Sequence, residues 1–360
     1  MGDKVRESIL NRVKEAKYFA LILDCTPDLS RKEQLSVIFR YVHEKSDKTV
    51  EICESFVDFV EITDTTGKGL SETVFKALEN YGLDIQNCRG QGYDNGANMK
   101  GKYSGLQKRI IEQNKRAFFV SSGCHSLNLV QTKELAEELK VEAKFKAPRL
   151  RGRKKHFDFE VERRDEHEPL TDPQEKFKVE FFLPLVDTAK SAVEERFEQL
   201  NAKTSKFEFL FNLDKLPDRQ TLLIKCQQLE ELMSDGADQS DIRGAELCDE
   251  LVSIQKLLPK EGQKSPMDVL NFLSLTESTD AYVNLWIALR IISTMPMSVA
   301  SSERSFSKLK LIKTYVRSTL SQKRLNSLSI LSIENELSQS VDYLDIVNSF
   351  SEMKARKALV

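Results

Sequence analysis

Nowhere in the 360 residues do two cysteines stand as a CxxC pair. The six cysteines, at positions 25, 53, 88, 124, 226 and 248, are widely scattered, which excludes a zinc ribbon, a thioredoxin-like motif and a disulfide scaffold. Long hydrophobic runs are missing too. The apolar run near the start, Tyr18 to Leu23, is closed by Asp24 far short of the ~20 residues that span a bilayer, so neither a signal peptide nor a membrane helix is expected. Together these absences point to a reducing compartment, cytosol or nucleus. Charge of one sign is also lacking: 54 Lys+Arg against 56 Asp+Glu leave a net of −2, so any basic surface must be local. Gly90, Gly92, Gly96 and Gly101 are scattered, with no GxxxxGKS and no GxGxxG opening a helix, and nucleotide cradling is unsupported. No Ser-His-Asp or Cys-His order is credible.

The elements that are present read β-β-β-α-β-α-β-α over the first part of the chain. Tyr18 to Leu23 is continuously apolar, as a strand buried on both faces should be. Gln34 to Val42 places Leu35, Val37, Phe39 and Tyr41 on one face, and Val50 to Ile62 is a third β-branched and aromatic run. The short polar connections favour antiparallel pairing. Leu70, Val74, Ala77, Leu78 and Tyr81 recur at helical spacing, with Gly82 where a left-handed cap belongs. A fourth strand is expected over Cys88 to Tyr93, a helix through Met99, Tyr103, Leu106 and Ile110, a fifth strand over Ala117 to Val120, and a helix over His125 to Leu139.

Around residue 140 the composition shifts to dense mixed charge, and the segment reads as a linker. Its Arg149 to Lys155 stretch holds five basic residues, and RGRKK at 151–155 has the composition of a nuclear-import signal or of a solvated run. Beyond it, Phe177 to about Leu258 is helical in pattern, with Leu222, Cys226, Leu229 and Met233 on one face. Leu285, Trp286, Leu289 and Ile292 make a further helix ended by Pro296. Phe306, Leu309, Ile312, Val316 and Leu320 line the next, and Leu325, Leu328 and Leu331 begin the last. These late faces supply more apolar surface than a small core edge needs, which predicts a homodimer. The expected divisions are 1–140, 141–176, 177–275 and 276–360.

Three carboxylates stand out by position. Asp24 ends the first strand, Asp94 ends the fourth in GYDNGANMKG, and Glu303 opens a late helix in VASSERSFSKLK. With the first strand central, the first and fourth strands are neighbours, and both aspartates emerge at one sheet edge. An acid from a helix packed on that sheet then completes a hard-oxygen site suited to Mg²⁺ or Mn²⁺. Two such ions about 3.5 to 4 Å apart can activate an attacking hydroxyl and stabilise the leaving oxygen of a phosphodiester. Each acid also has a plainer reading: Asp94 in Asp-Asn-Gly turn chemistry, Glu303 at a helix N-terminus with Ser301 as cap, Asp24 as a cap of the TPD turn. From Arg304 to Arg324 the chain carries Arg304, Lys308, Lys310, Lys313, Arg317, Lys323 and Arg324 without an acid, a solvated face or, through the first five, a hold on a phosphate backbone.

With these residues in view, the sequence resembles the hAT family of DDE transposases, and more closely its host-encoded relatives among MYM-type and TTF-type zinc-finger proteins. The resemblance rests on YFALILDCTPDLSRKEQLSVIFRYV, GQGYDNGANMKGKYSGLQKRI, FVSSGCHSLNLV and the segment LRIISTMPMSVASSERSFSKLKLIKTYVRSTLSQKRLNSLSILSIENE. It implies an α/β fold: an RNase H-like mixed sheet interrupted by an all-α insertion, with C-terminal helices completing the core and forming a dimerisation region. It carries the catalytic and metal-binding roles onto Asp24, Asp94 and Glu303. It maps a CxxH-like element onto Ser122, Cys124 and His125, with serine replacing the first cysteine. The family's DNA-binding finger has no counterpart here, and the insertion is short. The resemblance therefore implies a truncated, transposase-derived nuclear protein, homodimeric, in contact with DNA or nuclear protein partners and without full transposition. Metal-dependent strand cleavage and transfer is the alternative.

Overall fold

The computed structural model describes residues 1–93, 97–101, 104–121, 206–236, 239–259, 264–296 and 298–355, with isolated positions at 178, 182, 183 and 187. Met1–Ser122 and Leu200–Val360 pack as one compact unit, although they are distant in sequence. The second unit, Gly123–Gln199, lies almost wholly outside the described residues, as do the expected 125–139 helix and the charged linker.

The unit is built on strands β1 (Phe19–Pro27), β2 (Glu33–Glu44), β3 (Val50–Ile62), β4 (Cys88–Tyr93) and β5 (Phe118–Ser121), in the spatial order β3-β2-β1-β4-β5. The first three pair antiparallel, whereas β4 lies parallel to β1 and β5 parallel to β4. This is the mixed sheet of an RNase H-like fold, with the first strand in the middle. Phe19 to Leu23 are all buried, as a run sandwiched between helical layers must be.

Helix α1 (Gly2–Ala16) precedes the sheet, α2 (Gly67–Tyr81) follows β3, and the short α3 (Ala97–Lys100) and α4 (Leu106–Gln113) separate β4 from β5. Thr66 caps α2 by accepting from the Gly69 amide, and Gly82 ends it at φ 64°, ψ 37°. On one sheet face Phe19 and Phe39 meet edge to face, and Phe39 meets Tyr81 of α2 in the same way. Helix α1 was not foreseen. Its buried Val5, Ile9, Val13 and Ala16 recur at helical spacing, so the signal was present in the sequence.

The C-terminal segment adds α5 (Glu208–Phe211), α6 (Arg219–Leu232), α7 (Gly244–Leu257), α8 (Pro266–Leu275) and α9 (Val283–Thr294). After these come α10 (Ala300–Ile312), α11 (Gln322–Ile333), α12 (Asn335–Ser340) and α13 (Leu344–Ala355). Leu222, Cys226 and Leu229 of α6, with Met233 just beyond, form the buried face that their period predicted. They share one apolar cluster with Leu247, Leu251 and Ile254 of α7 and with α8 and α9. Leu285, Leu289 and Ile292 of α9 are buried in that cluster and Trp286 packs against it. This corrects the expected interface: that face is spent inside the subunit, not left over for a partner.

A second correction concerns α10. The apolar period continued to Leu320, but the helix stops at Ile312 and Tyr315–Arg317 form a single tight turn. Val316, expected on the buried face, is 90% exposed. The chain leaves the helical path at Lys313, φ −95° and ψ 73°, and there the lysine side chain is turned inward and paired with Asp28.

Candidate functional site

Asp24 lies opposite Ser36 in the antiparallel pairing of β1 and β2, and directly opposed residues share a sheet face. The Ser36 hydroxyl lies 2.8 Å from the Ser305 hydroxyl of α10. Asp24 is thus on the face that α10 covers, where Phe59 and Phe306 also meet with ring centres 5.4 Å apart. Along α10, Ser302, Ser305, Phe306 and Leu309 make the buried stripe, and Glu303, in the first turn, is half-buried at its margin. Asp24 is half-buried too and accepts a hydrogen bond from the Cys25 amide at 2.9 Å.

What holds the start of α10 over the sheet is a close approach at two glycines. A Cβ on Gly90 would stand 2.7 Å from Ala20 Cβ and 2.8 Å from Pro296 Cδ, and one on Gly92 would stand 2.9 Å from Pro296 Cγ. The glycines of RGQGY therefore make room for the proline that ends α9, a packing role rather than phosphate cradling. Tyr93, the last residue of β4, is fully buried. Asp94 follows it directly and lies outside the described residues, as do Ser122, Cys124 and His125. Among the described residues no three His, Cys, Asp or Glu side chains are grouped to hold a metal. Two of the three predicted acids are thus described: Asp24 lies on one sheet face, and that face carries the helix of Glu303. Both offer the hard oxygens that Mg²⁺ or Mn²⁺ prefers. Ser301, expected to cap α10, instead donates its hydroxyl proton to Glu54.

The basic set divides. Arg304, Lys308, Lys310 and Arg317 are exposed. Lys313 is not: its side chain is 4% exposed and its ammonium donates at 2.5 Å to Asp28 Oδ2, itself 1% exposed. A lysine so buried and so paired cannot reach a phosphate backbone, which removes Lys313 from the expected DNA-contacting residues. Burial alone would raise the Asp28 pKa, but hydrogen bonds from Lys313, the Lys32 and Ser30 amides and Gln34 hold it below the ordinary aspartate value. Arg304 and Lys308 also border a cleft of about 290 Å³ that holds Glu54 and Glu334, so this helix face meets carboxylates as well as solvent.

A buried ion cluster and a part-buried carboxylate escaped the sequence reading. Arg89 of β4 makes a bidentate pair with Asp241, at 2.8 and 2.7 Å, and Arg116 joins at 3.3 Å. The partners are over a hundred residues apart, and no local spacing announces them. Glu334, at the end of α11, accepts from the Phe56 amide at 2.6 Å, and burial pushes its pKa up to about 7.

Comparison with known proteins falls on the same two segments. Residues 1–105 match a family described as ZMYM1/FAM200, RNase-like domain, and residues 248–337 match the hAT family C-terminal dimerisation region. Over these two segments the chain is similar to an RNase-like domain and, behind it, to a hAT dimerisation region. The hAT-type segment includes Glu303, the exposed cations of α10 and all of α11. A human protein named 52 kDa repressor of the inhibitor of the protein kinase is 25% identical over 125 residues, 35% of this chain and 16% of the relative. Its mouse namesake is 26% identical over 125 residues, 34% of this chain and 16% of the relative. The matched part is thus about a sixth of the length of these relatives.

Proposed function

We propose that this chain works as a transposase-derived nuclear protein that dimerises through its C-terminal region and binds DNA or nuclear protein partners, without full transposition. The observation that carries the reading is the match of residues 248–337 to a dimerisation region. A second feature supports it. Leu311, Tyr315 and Val316, within that region, are 72%, 93% and 90% exposed, which makes them apolar anchors that a second copy would cover. The RGRKK run at 151–155 supports nuclear import by its composition. Sedimentation velocity tests the assembly. A dimer at micromolar concentration that dissociates in a Tyr315→Asp, Val316→Asp double variant is expected. A monomeric wild type would remove the proposal.

One observation favours the second reading, metal-dependent strand cleavage. Asp24 shares a sheet face with the helix that carries Glu303, and Asp94 follows β4, the parallel neighbour of β1. In that reading the three acids hold Mg²⁺ or Mn²⁺, and the exposed Arg304, Lys308, Lys310 and Arg317 engage the DNA backbone. Calorimetric titration of Mg²⁺ or Mn²⁺ into wild type and an Asp24→Asn, Asp94→Asn double variant, followed by nicking of a DNA hairpin, separates the two. Nicking lost in the variant would establish the catalytic reading. A folded protein with no acid-dependent binding would exclude it.

A further inference from the structure

At the other end of β1 from Asp24, a cleft of about 390 Å³ lies between the β2–β3 hairpin, the end of α1 and α9. From Phe19 to Asp24 the strand rises five residues, or roughly 16 Å, so this cleft is separate from the acidic site. We propose that it binds a phosphate-class anion, with Arg290 as the principal ligand.

Arg290 is the spare charge of the cleft. Its guanidinium lies 5.5 Å from the Trp286 ring centre and donates one hydrogen bond, to the Ala16 carbonyl. Among the described residues no carboxylate comes within ion-pair distance of it. The other cations of the rim are matched: Lys45 pairs with Glu51 at 2.6 Å and Lys48 with Glu44 at 3.4 Å. An arginine has five donors in a planar fork, so most of Arg290's capacity is unused by the protein. That fork suits a tetrahedral or planar oxyanion held by two parallel hydrogen bonds.

Lys45 and Lys48 on the rim are engaged by Glu51 and Glu44, and Glu15 also lines the cleft, so it is the two-pronged donor geometry of the Arg290 guanidinium, not a net positive field, that favours an oxyanion over a single chloride. His43 also lines it; burial first, and then the nearby Arg12 charge, hold its pKa below the usual histidine value, leaving a neutral ring at pH 7 that can hydrogen-bond an anion without competing for it. Arg290 is also held back from solvent. Burial lowers its pKa, against Tyr18 and Glu44 acting the other way, and a partly desolvated cation gains more from an anion than an exposed one. The volume is at the lower end of those that hold small organic ligands, enough for a phosphate ester with one ring.

The chain's single tryptophan, Trp286, lies in the cleft and reports directly on its occupancy. Inorganic phosphate and phenyl phosphate are each titrated while intrinsic tryptophan fluorescence is followed, against sodium chloride at matched ionic strength. Saturable quenching or enhancement is expected with phosphate and absent with chloride. A tighter response to phenyl phosphate assigns an ester as ligand, and equal responses assign the free ion. Arg290→Gln should weaken binding at least tenfold. Lys48→Gln, at an exposed position that leaves the fold intact, should weaken it about threefold through loss of a rim charge. A response that only follows ionic strength would overturn the proposal. So would phosphate affinity unchanged in Lys48→Gln and in a folded Arg290→Gln.

Discussion

Lys313 and Asp28 form an ion pair at 2.5 Å with both side chains closed off from solvent, joining the end of α10 to the turn between β1 and β2. Asp28 organises that turn as well, accepting from the Ser30 amide at 2.7 Å and from the Gln34 side chain at 3.1 Å. Removing one member of such a pair leaves the other charged and buried. Lys313→Ala is therefore expected to destabilise the protein by about 3 to 5 kcal/mol, whereas Lys310→Ala, on the exposed face, should cost no more than about 0.5 kcal/mol. Urea unfolding of the two variants decides it. The pair also sets an acid limit. The Asp28 pKa is depressed, so its stabilisation is present above pH 3.8 and is lost as pH falls through the lower folded value.

Glu334 and Asp58 shift in the opposite direction. Both are at the edge strand β3: Glu334 accepts from its Phe56 amide, and Asp58, a residue of the strand, pairs with Arg6 of α1 at 3.3 Å. Burial raises Glu334 from 4.5 to about 7 and Asp58 from 3.8 to about 6. A raised carboxyl pKa favours the fold at low pH, and that contribution disappears as pH climbs through the folded value. The urea midpoint should therefore decline as pH rises from about 4, near the unfolded values of 3.8 and 4.5, to about 7, the higher folded value. Glu334→Gln, which keeps an acceptor for the Phe56 amide without a charge, should flatten that fall by on the order of 2 kcal/mol. An unaltered slope in the variant would mean that Glu334 does not titrate in this range.

Gly90 is predicted to be intolerant of even one methyl group. Its two nearest obstacles, Ala20 Cβ and Pro296 Cδ, belong to separate elements and are not the ends of flexible side chains. Gly90→Ala should cost about 1 to 3 kcal/mol from overpacking. Pro296→Ala in the same background should recover part of that loss, which a double-mutant cycle would measure.

How much of this was legible in the sequence depended on the range of the interactions. The β2, β3 and α2 patterns each lie within one stretch, and the structure places them where periodicity put them, down to the left-handed Gly82. The strand order followed from the short polar connections and the central apolar strand. The end of α10 did not follow, because the apolar period ran on through Val316, while the helix ends beside a contact 285 residues away in sequence, Lys313 to Asp28, which no local pattern announces. The role of α9 was hidden for a different reason: its apolar face looked unpartnered because periodicity does not say that the preceding helices α6, α7 and α8 fold back over it. Glu303 stands in the first turn of α10 as its sequence position suggested, whereas Asp24, expected to end the first strand, lies inside β1, which pairs with β2 as far as Pro27. Asp241 sits in a loop and could be recognised only from its partners.

That loop supplies a further test. Asp241 is held by Arg89 and Arg116 and lies 3.5 Å from the Tyr18 hydroxyl at the entry to β1. The Arg89 side chain is 1% exposed and that of Asp241 is 7% exposed, so neutralising the acid strands two cations in the interior. Asp241→Ala is expected to cost about 3 to 5 kcal/mol. The solvent-exposed Arg219–Asp249 pair, of similar 2.7 Å length, is the control: Asp249→Ala should cost at most about 1 kcal/mol. The phenol gives an independent readout. Burial, and then the Asp241 charge, push the Tyr18 pKa up to about 12. Asp241→Asn should therefore bring that titration down, measured as the phenolate absorbance difference between each protein and its Tyr18→Phe counterpart. If Tyr18 titrates unchanged while stability falls, the carboxylate acts on the arginines alone and the phenol is governed by burial.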